Sequence, residues 1–386
     1  MKQVYLDNAA TTKVRDEVIA VMKDALANTF GNPSSSHSYG RTAKTGIERA
    51  RKTIAKQLNA QPSEIIFTSG GTEADNMVLR SAVDTLGVKT VITTKAEHHA
   101  VLYTVLELER LKKIKIKYVT LDKFGNPSID HLKQLLQENN SYTLVSLMHI
   151  NNETGNIIPI HEIAYLVKSY GAFMHSDTVQ SIGHYTWDVQ KTPIDFMAAA
   201  AHKFHGPKGI GFAFIRKNSG LGAFLFGGNQ ERGYRAGTES FHNILGLEKA
   251  FSIAYENLTT EQAGIESTKR YFIGKIKEAI PQVLFNGYSG VLDQSSYTIL
   301  NVQLPILISK VPMLLFHLDM KGIACSRGSA CQSGSTKDSH VLTAFLSEDA
   351  IKKASLRFSF SIYTTQEEIR YTVSVLKEFI AKLETV

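Results

Sequence analysis

The sequence predicts an α/β protein with a mostly parallel β-sheet that is covered by helices on both faces, followed by a smaller α+β domain. From about residue 40 to about residue 250, short continuous apolar runs alternate with segments of helical period. Such runs, separated by helix-sized spacers, are typical of buried parallel strands. After about residue 255 come a polar helical stretch, an alternating strand and an amphipathic helix. This change of pattern indicates a second domain with its own core.

Individual elements follow from the periodicity. Residues 40–59 show a helical period, which predicts an amphipathic helix. The buried strands of the sheet are predicted at residues 64–68, 90–93, 116–119, 143–148, 172–175 and 210–215. In the second domain we expect strands at 297–302 and 356–362, a Gly/Ser/Cys loop at 322–335 and a helix from Thr365. In a sheet of this kind the ligand lies beyond the carboxyl ends of the strands.

The composition excludes several classes of protein. Of the 386 residues, 43% are hydrophobic and 20% are charged, which is ordinary globular usage and excludes a disordered or fibrous chain. The net charge of +7 permits an acidic partner without requiring one. In the densest basic stretch, residues 112–117, lysine and isoleucine alternate from Lys113 onward. We interpret this stretch as a solvated strand face and expect no direct binding of nucleic acid.

Targeting signals and cysteine usage indicate the compartment. No apolar run approaches the roughly 18 residues of a membrane span, and the N-terminus lacks the apolar region of a secretory signal. Two cysteines, Cys325 and Cys331, are too few for a disulfide framework in a chain of this size. We therefore expect a cytoplasmic protein that is not associated with a membrane.

A glycine-rich turn follows the first predicted strand. Residues 68–76 are Thr-Ser-Gly-Gly-Thr-Glu-Ala-Asp-Asn, and we expect Thr72 and Glu73 to open a helix. Backbone N–H groups at such a helix start, together with the helix dipole, form an anion site that suits a phosphate. An ordinary strand-to-helix turn is the commoner explanation of this pattern, and the missing Gly-Lys-Ser/Thr excludes a Walker loop.

Two further motifs follow later strands. Asp177 comes just after an apolar run, where its carboxylate can pair with a protonated ring nitrogen or act as a helix N-cap. Lys203 follows four alanines and precedes a Gly/Pro turn, and a desolvated lysine can form a Schiff base with an aldehyde. A phosphate loop, a carboxylate at a strand end and a later lysine, in this order, predict pyridoxal 5′-phosphate (PLP) as the cofactor.

The fourth motif contains both cysteines, Cys325 and Cys331, among small polar residues. A cysteine in such a loop is accessible and mobile, unlike a buried structural cysteine. A plain surface thiol, a disulfide between the two cysteines and a shared metal all stay open at this point. No further Cys or His completes a metal site at the usual spacing.

Together these motifs resemble the cysteine desulfurases of the NifS/IscS-like branch of the class V aminotransferase family. The resemblance runs from residue 5 to about residue 375, with motifs at 5–12, 30–33, 68–73, 97–98, 149–153, 177–180, 202–203, 232–238, 328–331 and 357–359. It implies PLP fold type I, with a large PLP-binding domain at 15–257 that contains a seven-stranded sheet. A small domain from 1–14 and 258–386 would carry the active-site Cys loop.

The resemblance also implies roles for particular residues. The catalytic residues would be Lys203, which holds PLP and moves the substrate's α-proton, Cys331, which accepts sulfur, and His98, which stacks on the ring. Asn152 and Arg357 would bind the substrate carboxylate, although an exposed strand arginine is the ordinary alternative for Arg357. The implied cofactor-binding set is Gly71, Thr72, His98, Asn152, Asp177, Gln180, Ala200, His202, Lys203 and, from the neighbouring subunit of a homodimer, Thr238. No metal is implied.

The implied reaction removes sulfur from L-cysteine as a persulfide on Cys331 and releases L-alanine. An iron–sulfur scaffold or another sulfur acceptor would then take the sulfur. Selenocysteine lyase or another class V PLP enzyme is the alternative within the fold, and a non-enzymatic phosphate- or RNA-binding protein is the alternative outside it. Ala200 departs from the family pattern, because a phosphate-binding Ser is usual there. The loss of one charge-assisted hydrogen bond costs roughly 1.5–3 kcal/mol.

Overall fold

The computed structural model describes residues 2–139, 142–328 and 339–384. Its strands are β1 (Val4–Tyr5), β2 (Ile65–Thr68), β3 (Thr90–Thr93), β4 (Lys115–Tyr118), β5 (Thr143–Ser146), β6 (Phe173–Asp177), β7 (Phe196–Ala200), β8 (Gly211–Ile215), β9 (Leu284–Phe285), β10 (Ile299–Leu307), β11 (Ile323–Ala324) and β12 (Lys353–Ser359). Its α-helices are α1 (Asp16–Asn28), α2 (Ser38–Gln57), α3 (Gly71–Thr85), α4 (His99–Arg110), α5 (Ile129–Glu138), α6 (Ile160–Ser169), α7 (Phe241–Glu256), α8 (Leu258–Ala279), α9 (Val311–Met320), α10 (His340–Thr343), α11 (Glu348–Ile351) and α12 (Gln366–Glu384).

Seven strands form one mostly parallel sheet, as the sequence predicts. The strand order is β2-β8-β7-β6-β5-β3-β4. Strand β8 runs antiparallel to both of its neighbours, β2 and β7, and the other pairs are parallel. The six predicted runs omit β7, because three of its five residues are alanines, which are depleted in strands. The basic run ends in β4 at the edge of the sheet, where Lys115 is exposed, as expected for a solvated strand face.

Helices cover both faces of this sheet because successive strand residues point to opposite sides. Phe67, Met197 and Phe212 belong to a core that includes residues of α2, α5, α6 and α7. Their neighbours Ile66, Ala198 and Ala213 belong to a second core, on the other face, that includes residues of α3 and α4. The central strands β7 and β8 are therefore apolar at every position, as expected for strands that are buried on both faces.

A third core forms around a smaller antiparallel sheet in the order β12-β10-β9. It contains Val4 and Leu6 from the N-terminus together with residues between 265 and 380, and β1 pairs with β11 in parallel. The predicted strand at 356–362 lies three residues earlier, as β12, and the one predicted at 297–302 extends to Leu307. Within the described residues, no helix is both long and apolar enough to cross a membrane.

Candidate active site

A cavity of about 200 Å³ lies beyond the carboxyl ends of the central strands, where a parallel sheet is expected to bind its ligand. It is bounded by the ends of β6 and β7, the start of α3 and the N-terminal loop. The lining residues are Ala9, Ala10, Gly71, Thr72, Asp75, His98, Met148, Ile150, Asn152, Asp177, Val179, Gln180, Ala200, His202, Lys203 and Arg357. All predicted site residues except Thr238 and Cys331 therefore meet at one cavity.

One end of the cavity is formed by the start of α3. The helix begins at Gly71, so the first-turn N–H groups have no partner within the helix and can bind an anion. A Cβ on Gly71 would lie 2.5 Å from Cγ2 of Val179 and 3.8 Å from Cβ of Ala200, which leaves room only for glycine. His202 contributes a ring whose Nδ1 lies 3.2 Å from Oγ1 of Thr11. Burial and, to a smaller extent, the charge on Lys203 lower the pKa of His202 to about 4. Its ring is therefore neutral at pH 7.

Another wall of the cavity is acidic. The sequence predicted that Asp177 lies just after a strand, but it is the last residue of β6. No helix follows it, so the alternative of a helix N-cap is wrong. Its Oδ1 instead accepts a hydrogen bond from the N–H of Val179 at 2.9 Å. Burial raises the pKa of Asp177 to about 6, although that hydrogen bond and Lys203 oppose the shift.

A second buried carboxyl, Asp75 of α3, also lines the cavity and was not predicted. Its Oδ1 lies 3.4 Å from Nε2 of the fully buried His175. Burial, followed by the nearby Asp177 and Glu97, raises the pKa of Asp75 well above its ordinary value. Asp75 lies three residues after Thr72, about one helical turn, so both are on the same face of α3. This spacing within the glycine-rich motif was the signal that could have revealed it.

Lys203 reaches the cavity from a short 3-10 turn, Ala201–Lys203, directly after β7. Its Nζ donates hydrogen bonds to the carbonyl oxygens of Ala9 at 2.6 Å and Ala10 at 2.9 Å. The Nε2 of Gln180 donates to the same Ala9 oxygen at 3.0 Å. The N-terminal loop therefore forms one wall of the site, although its residues lie almost 200 positions away in the sequence.

His98 serves both as a helix cap and as a cavity wall. It is the N-cap of α4, and its Nδ1 accepts a hydrogen bond from the N–H of Ala100 at 3.1 Å. Burial, followed by the charge on Lys203, lowers the pKa of His98 to about 4. The ring is therefore neutral, with its Nδ1 occupied as an acceptor and its proton on Nε2.

Arg357 is buried, with 1% of its surface exposed, which excludes an ordinary exposed strand arginine. Its Nη1 donates to the carbonyl of Asn152 at 2.8 Å and its Nη2 lies 3.0 Å from Oδ1 of Asp7. Its Nε and the Oδ1 of Asn152 are buried without a hydrogen-bond partner among the described residues. Two unpartnered polar atoms on one cavity wall indicate a polar ligand.

Two predicted residues are not found in this cavity. Thr238 lines a different cavity, beside Ser69 and Arg235. Cys331 lies outside the described residues. Cys325 is described: it packs beside the smaller core, and burial raises the pKa of its thiol well above the ordinary range. No three His, Cys, Asp or Glu side chains gather as metal ligands in the described part of the chain.

These residues fit PLP. A carboxylate for the ring nitrogen, an anion site at a helix start and a lysine amine occur together in one buried cavity, and the unpartnered atoms of Asn152 and Arg357 remain for an amino-acid substrate. Each charged or polar part of the cofactor therefore has a complementary group in the cavity.

Comparisons with known proteins agree with this chemistry. Residues 4–371 match the class V aminotransferase family. The sequence is 40% identical over 387 residues to "Cysteine desulfurase IscS" of Dictyoglomus turgidum, covering 100% of this chain and 96% of the relative. The fold is similar to that of a NifS-like protein, with a TM-score of 0.89 and 34% identity over 98% of this chain and 100% of the other. It is also similar to SspA in complex with cysteine, with a TM-score of 0.80 and 32% identity over 94% and 100%.

Proposed function

The chain belongs to the class V aminotransferase family, and from this premise we propose that it is a PLP-dependent cysteine desulfurase. It would remove sulfur from L-cysteine and release L-alanine. The observation that carries the proposal is the cavity in which Lys203, Asp177 and Arg357 meet. The similarity to proteins named cysteine desulfurase over nearly the whole chain supports the choice of substrate.

Each part of PLP has a proposed partner. Lys203 would hold the cofactor covalently, Asp177 would bind the ring nitrogen, and Gln180 would donate to the ring hydroxyl. The phosphate would lie at the start of α3, against Gly71, Thr72 and His202, with Ala200 beside it. When bound, PLP supplies a ring that withdraws electrons from the α-carbon of an attached amino acid.

The side chains of this protein would then handle the proton and the substrate. The Nζ of Lys203, once displaced by the substrate amine, is positioned to take the α-proton as a general base. The ring of His98 would stack on the cofactor and, being neutral, can donate from Nε2 without adding charge to the site. The guanidinium of Arg357 and the side chain of Asn152 would bind the substrate carboxylate, because both residues line the cavity and each has a buried polar atom without a partner among the described residues.

Sulfur transfer would use Cys331. Its thiolate attacks the sulfur of the substrate, so that an S–S bond forms while the Cβ–S bond breaks. The carbon keeps the electron pair of the broken bond and takes a proton, which gives alanine, while Cys331 keeps the sulfur as a persulfide. Atoms and electrons balance without an external oxidant or reductant. An iron–sulfur scaffold or another sulfur acceptor would then receive the sulfur.

We also propose a homodimer in which Thr238 contacts the phosphate bound by the neighbouring subunit. Thr238 lies outside the PLP cavity of its own chain, and Phe30 and Phe226 expose 78% and 88% of their surface. Large exposed aromatic side chains are typical of protein interfaces. Light scattering should give a mass near twice the 42.7 kDa of one chain, and a monomeric protein with full activity would contradict the proposal.

Three further expectations, on the domains, the location and nucleic-acid binding, accompany this proposal. The division into a large domain at 15–257 and a small one from 1–14 and 258–386 is supported by the separate core that joins Val4 and Leu6 to residues beyond 265. A cytoplasmic location and the absence of direct nucleic-acid binding stay predictions.

The activity is tested with purified protein by visible absorption and by cyanolysis for persulfide. We expect a band from lysine-bound PLP that changes when L-cysteine is added, and persulfide in the wild type. Cys331→Ala should keep the band and lose the persulfide, whereas Lys203→Ala should lose the covalent band, with a fall in turnover of roughly 10²–10⁴-fold. Persulfide in Cys331→Ala, or cysteine-independent absorption, would contradict the proposed reaction.

A further inference from the structure

His184 binds the main chain of Lys203, the residue on which the proposed function depends. The turn that contains His184 follows β6, and the Nε2 of its ring lies 3.0 Å from the carbonyl oxygen of Lys203. We propose that His184 is a positioning residue: it holds the Lys203 carbonyl and thereby fixes the direction in which the lysine leaves the end of β7. This inference rests on the proposed function, because it concerns the lysine that would hold PLP.

The hydrogen bonds around the ring determine which nitrogen carries the proton. The carbonyl of Lys203 can only accept, so Nε2 of His184 must donate. Burial lowers the pKa of His184, although the bond to Lys203 opposes the shift, so the ring is neutral and Nδ1 is an acceptor. The hydroxyl of Tyr297 lies 3.1 Å from that Nδ1 and donates to the His184 carbonyl oxygen at 3.0 Å. Tyr297 therefore holds both the ring and the main chain of His184 beside Lys203.

The turn itself is fixed against Lys203 by its neighbours. Gly183 has a φ of +81°, and a Cβ there would lie 2.5 Å from Cβ of Phe204, the residue after Lys203. The hydroxyl of Tyr255 accepts from the N–H of Gly183 at 3.3 Å and donates to the carbonyl of Tyr185 at 3.1 Å. The backbone on both sides of His184 is therefore held in place by Tyr255. A positioning role needs such support.

The same contacts connect Lys203 to the smaller sheet. Tyr297 precedes β10, and its neighbour Ser296 is held by the buried Lys269 of α8, whose Nζ donates to the Ser296 carbonyl at 2.7 Å. The side chain of Tyr297 therefore connects the segment before β10 to His184, and His184 connects it to the Lys203 turn. A change at Tyr297 can thus reach Lys203 although Tyr297 does not line the cavity.

Substitutions at His184 separate this role from simple packing. The amide nitrogen of Gln corresponds in reach to Nε2 of His, whereas that of Asn corresponds to Nδ1. His184→Gln should therefore keep the bond to Lys203, and His184→Asn should lose it. Tyr297→Phe removes the hydroxyl that holds His184 but keeps the aromatic ring. His161→Gln is the control, because His161 contacts Thr192 and does not line the cavity.

The measurement uses the holoenzyme and follows the visible absorption of lysine-bound PLP in two ways. One is the rate at which the band disappears on dialysis, and the other is the midpoint of its pH titration. His184→Asn should lose PLP roughly 3- to 10-fold faster than the wild type and shift the midpoint, as expected for one lost hydrogen bond. His184→Gln and His161→Gln should stay within about twofold of the wild type.

Several outcomes would overturn the inference. Equal behaviour of His184→Asn and His184→Gln would assign His184 a packing role only. Should His184→Asn fail to fold, Tyr297→Phe decides: faster PLP loss and a shifted midpoint support the inference, and wild-type values contradict it. If the wild type forms the band and the persulfide while all variants match it, this inference fails and the proposed function stands. If the wild type forms no band, both fail.

Discussion

The two ends of the cavity hold their charges in different ways. At the acidic end, burial raises the pKa of Asp177 to about 6 and that of Asp75 well above its ordinary value, and the hydrogen bond that holds Asp177 comes from a backbone N–H. On the basic side, Arg357 already has a carboxylate partner, since its Nη2 lies 3.0 Å from Asp7. Among the described residues, the buried carboxyls therefore have only the charge of Lys203 nearby, whereas Arg357 has a carboxylate in direct contact.

This difference shows how one site can bind a ligand of mixed charge. A buried carboxylate without a cation is costly, so the acidic end gains most when a protonated ring nitrogen arrives. Arg357 has a carboxylate partner before any ligand binds, and N–H groups that include its Nε remain for a substrate carboxylate. The predictions below test the two ends separately.

The largest expected effect comes from removing the acidic charge in the PLP-free protein. Because the folded pKa of Asp177 is about 6, the folded state binds this proton more tightly than the unfolded state, and stability falls as pH rises from about 4 to about 6. Asp177→Asn, which cannot ionise, should be more stable than the wild type at pH 8 by up to about 3 kcal/mol.

Urea unfolding of the PLP-free proteins between pH 5 and pH 8 measures this gap in the free energy of unfolding between Asp177→Asn and the wild type. It should be widest above pH 6 and narrow as pH falls towards the ordinary range of a carboxyl. The same substitution should weaken PLP binding, since the ring nitrogen loses its partner. Asp24→Asn, on the exposed side of α1, is the control. A gap that stays constant with pH would show that burial of charge at Asp177 is not its cause.

At the basic side, Arg357→Lys keeps a positive charge but loses the planar fork that binds a carboxylate through two parallel bonds. We expect kcat/KM for L-cysteine to fall by about 10- to 100-fold, which corresponds to loss of a charge-assisted hydrogen bond. The absorption of bound PLP should stay unchanged. Arg370→Lys, which changes an exposed arginine bonded to Tyr271, should have no effect. Equal losses of PLP and of cysteine affinity would argue against a substrate-specific role.

At the phosphate end, Ala200 offers a way to strengthen the site. Its Cβ lies 3.8 Å from the position of a Cβ on Gly71, so a hydroxyl there would point to the start of α3. Ala200→Ser should tighten PLP binding roughly tenfold, measured by titration of the stripped protein. Ala200→Gly changes the side chain without adding a donor and should not tighten binding. An unchanged affinity in Ala200→Ser would mean that another group already satisfies that phosphate oxygen.

The smallest effect is expected from a surface charge outside the cavity. Lys113 and Asp84 form an ion pair at 2.8 Å with 44% and 55% of their side chains exposed. Lys113→Ala should change the free energy of unfolding by less than about 1 kcal/mol, because water already screens this pair. The value of kcat/KM should not change. A loss above that limit would indicate that the edge strand β4 needs this pair for its position.

Much of this molecule was predictable from local sequence. The continuous apolar runs predicted the parallel sheet because strands buried on both faces need apolar residues at every position. The glycine-rich turn predicted the start of α3, because glycines allow a tight turn between a strand and a helix. The structure adds that a Cβ on Gly71 would collide with Val179. Lys203 and Asp177 were found because each lies at or just after the end of an apolar run, and sheet topology brings such positions to one edge.

The sequence by itself determined which chemistry the chain carries: a lysine, a carboxylate and a phosphate loop in the order of one cofactor. The tertiary structure decided which groups surround them. Asp75 became part of the site through burial beside His175, Asp7 through its pairing with Arg357, and His184 through its contact with the Lys203 carbonyl. These contacts join residues up to 350 positions apart, and their energies depend on burial and distance, which no local pattern of residues contains.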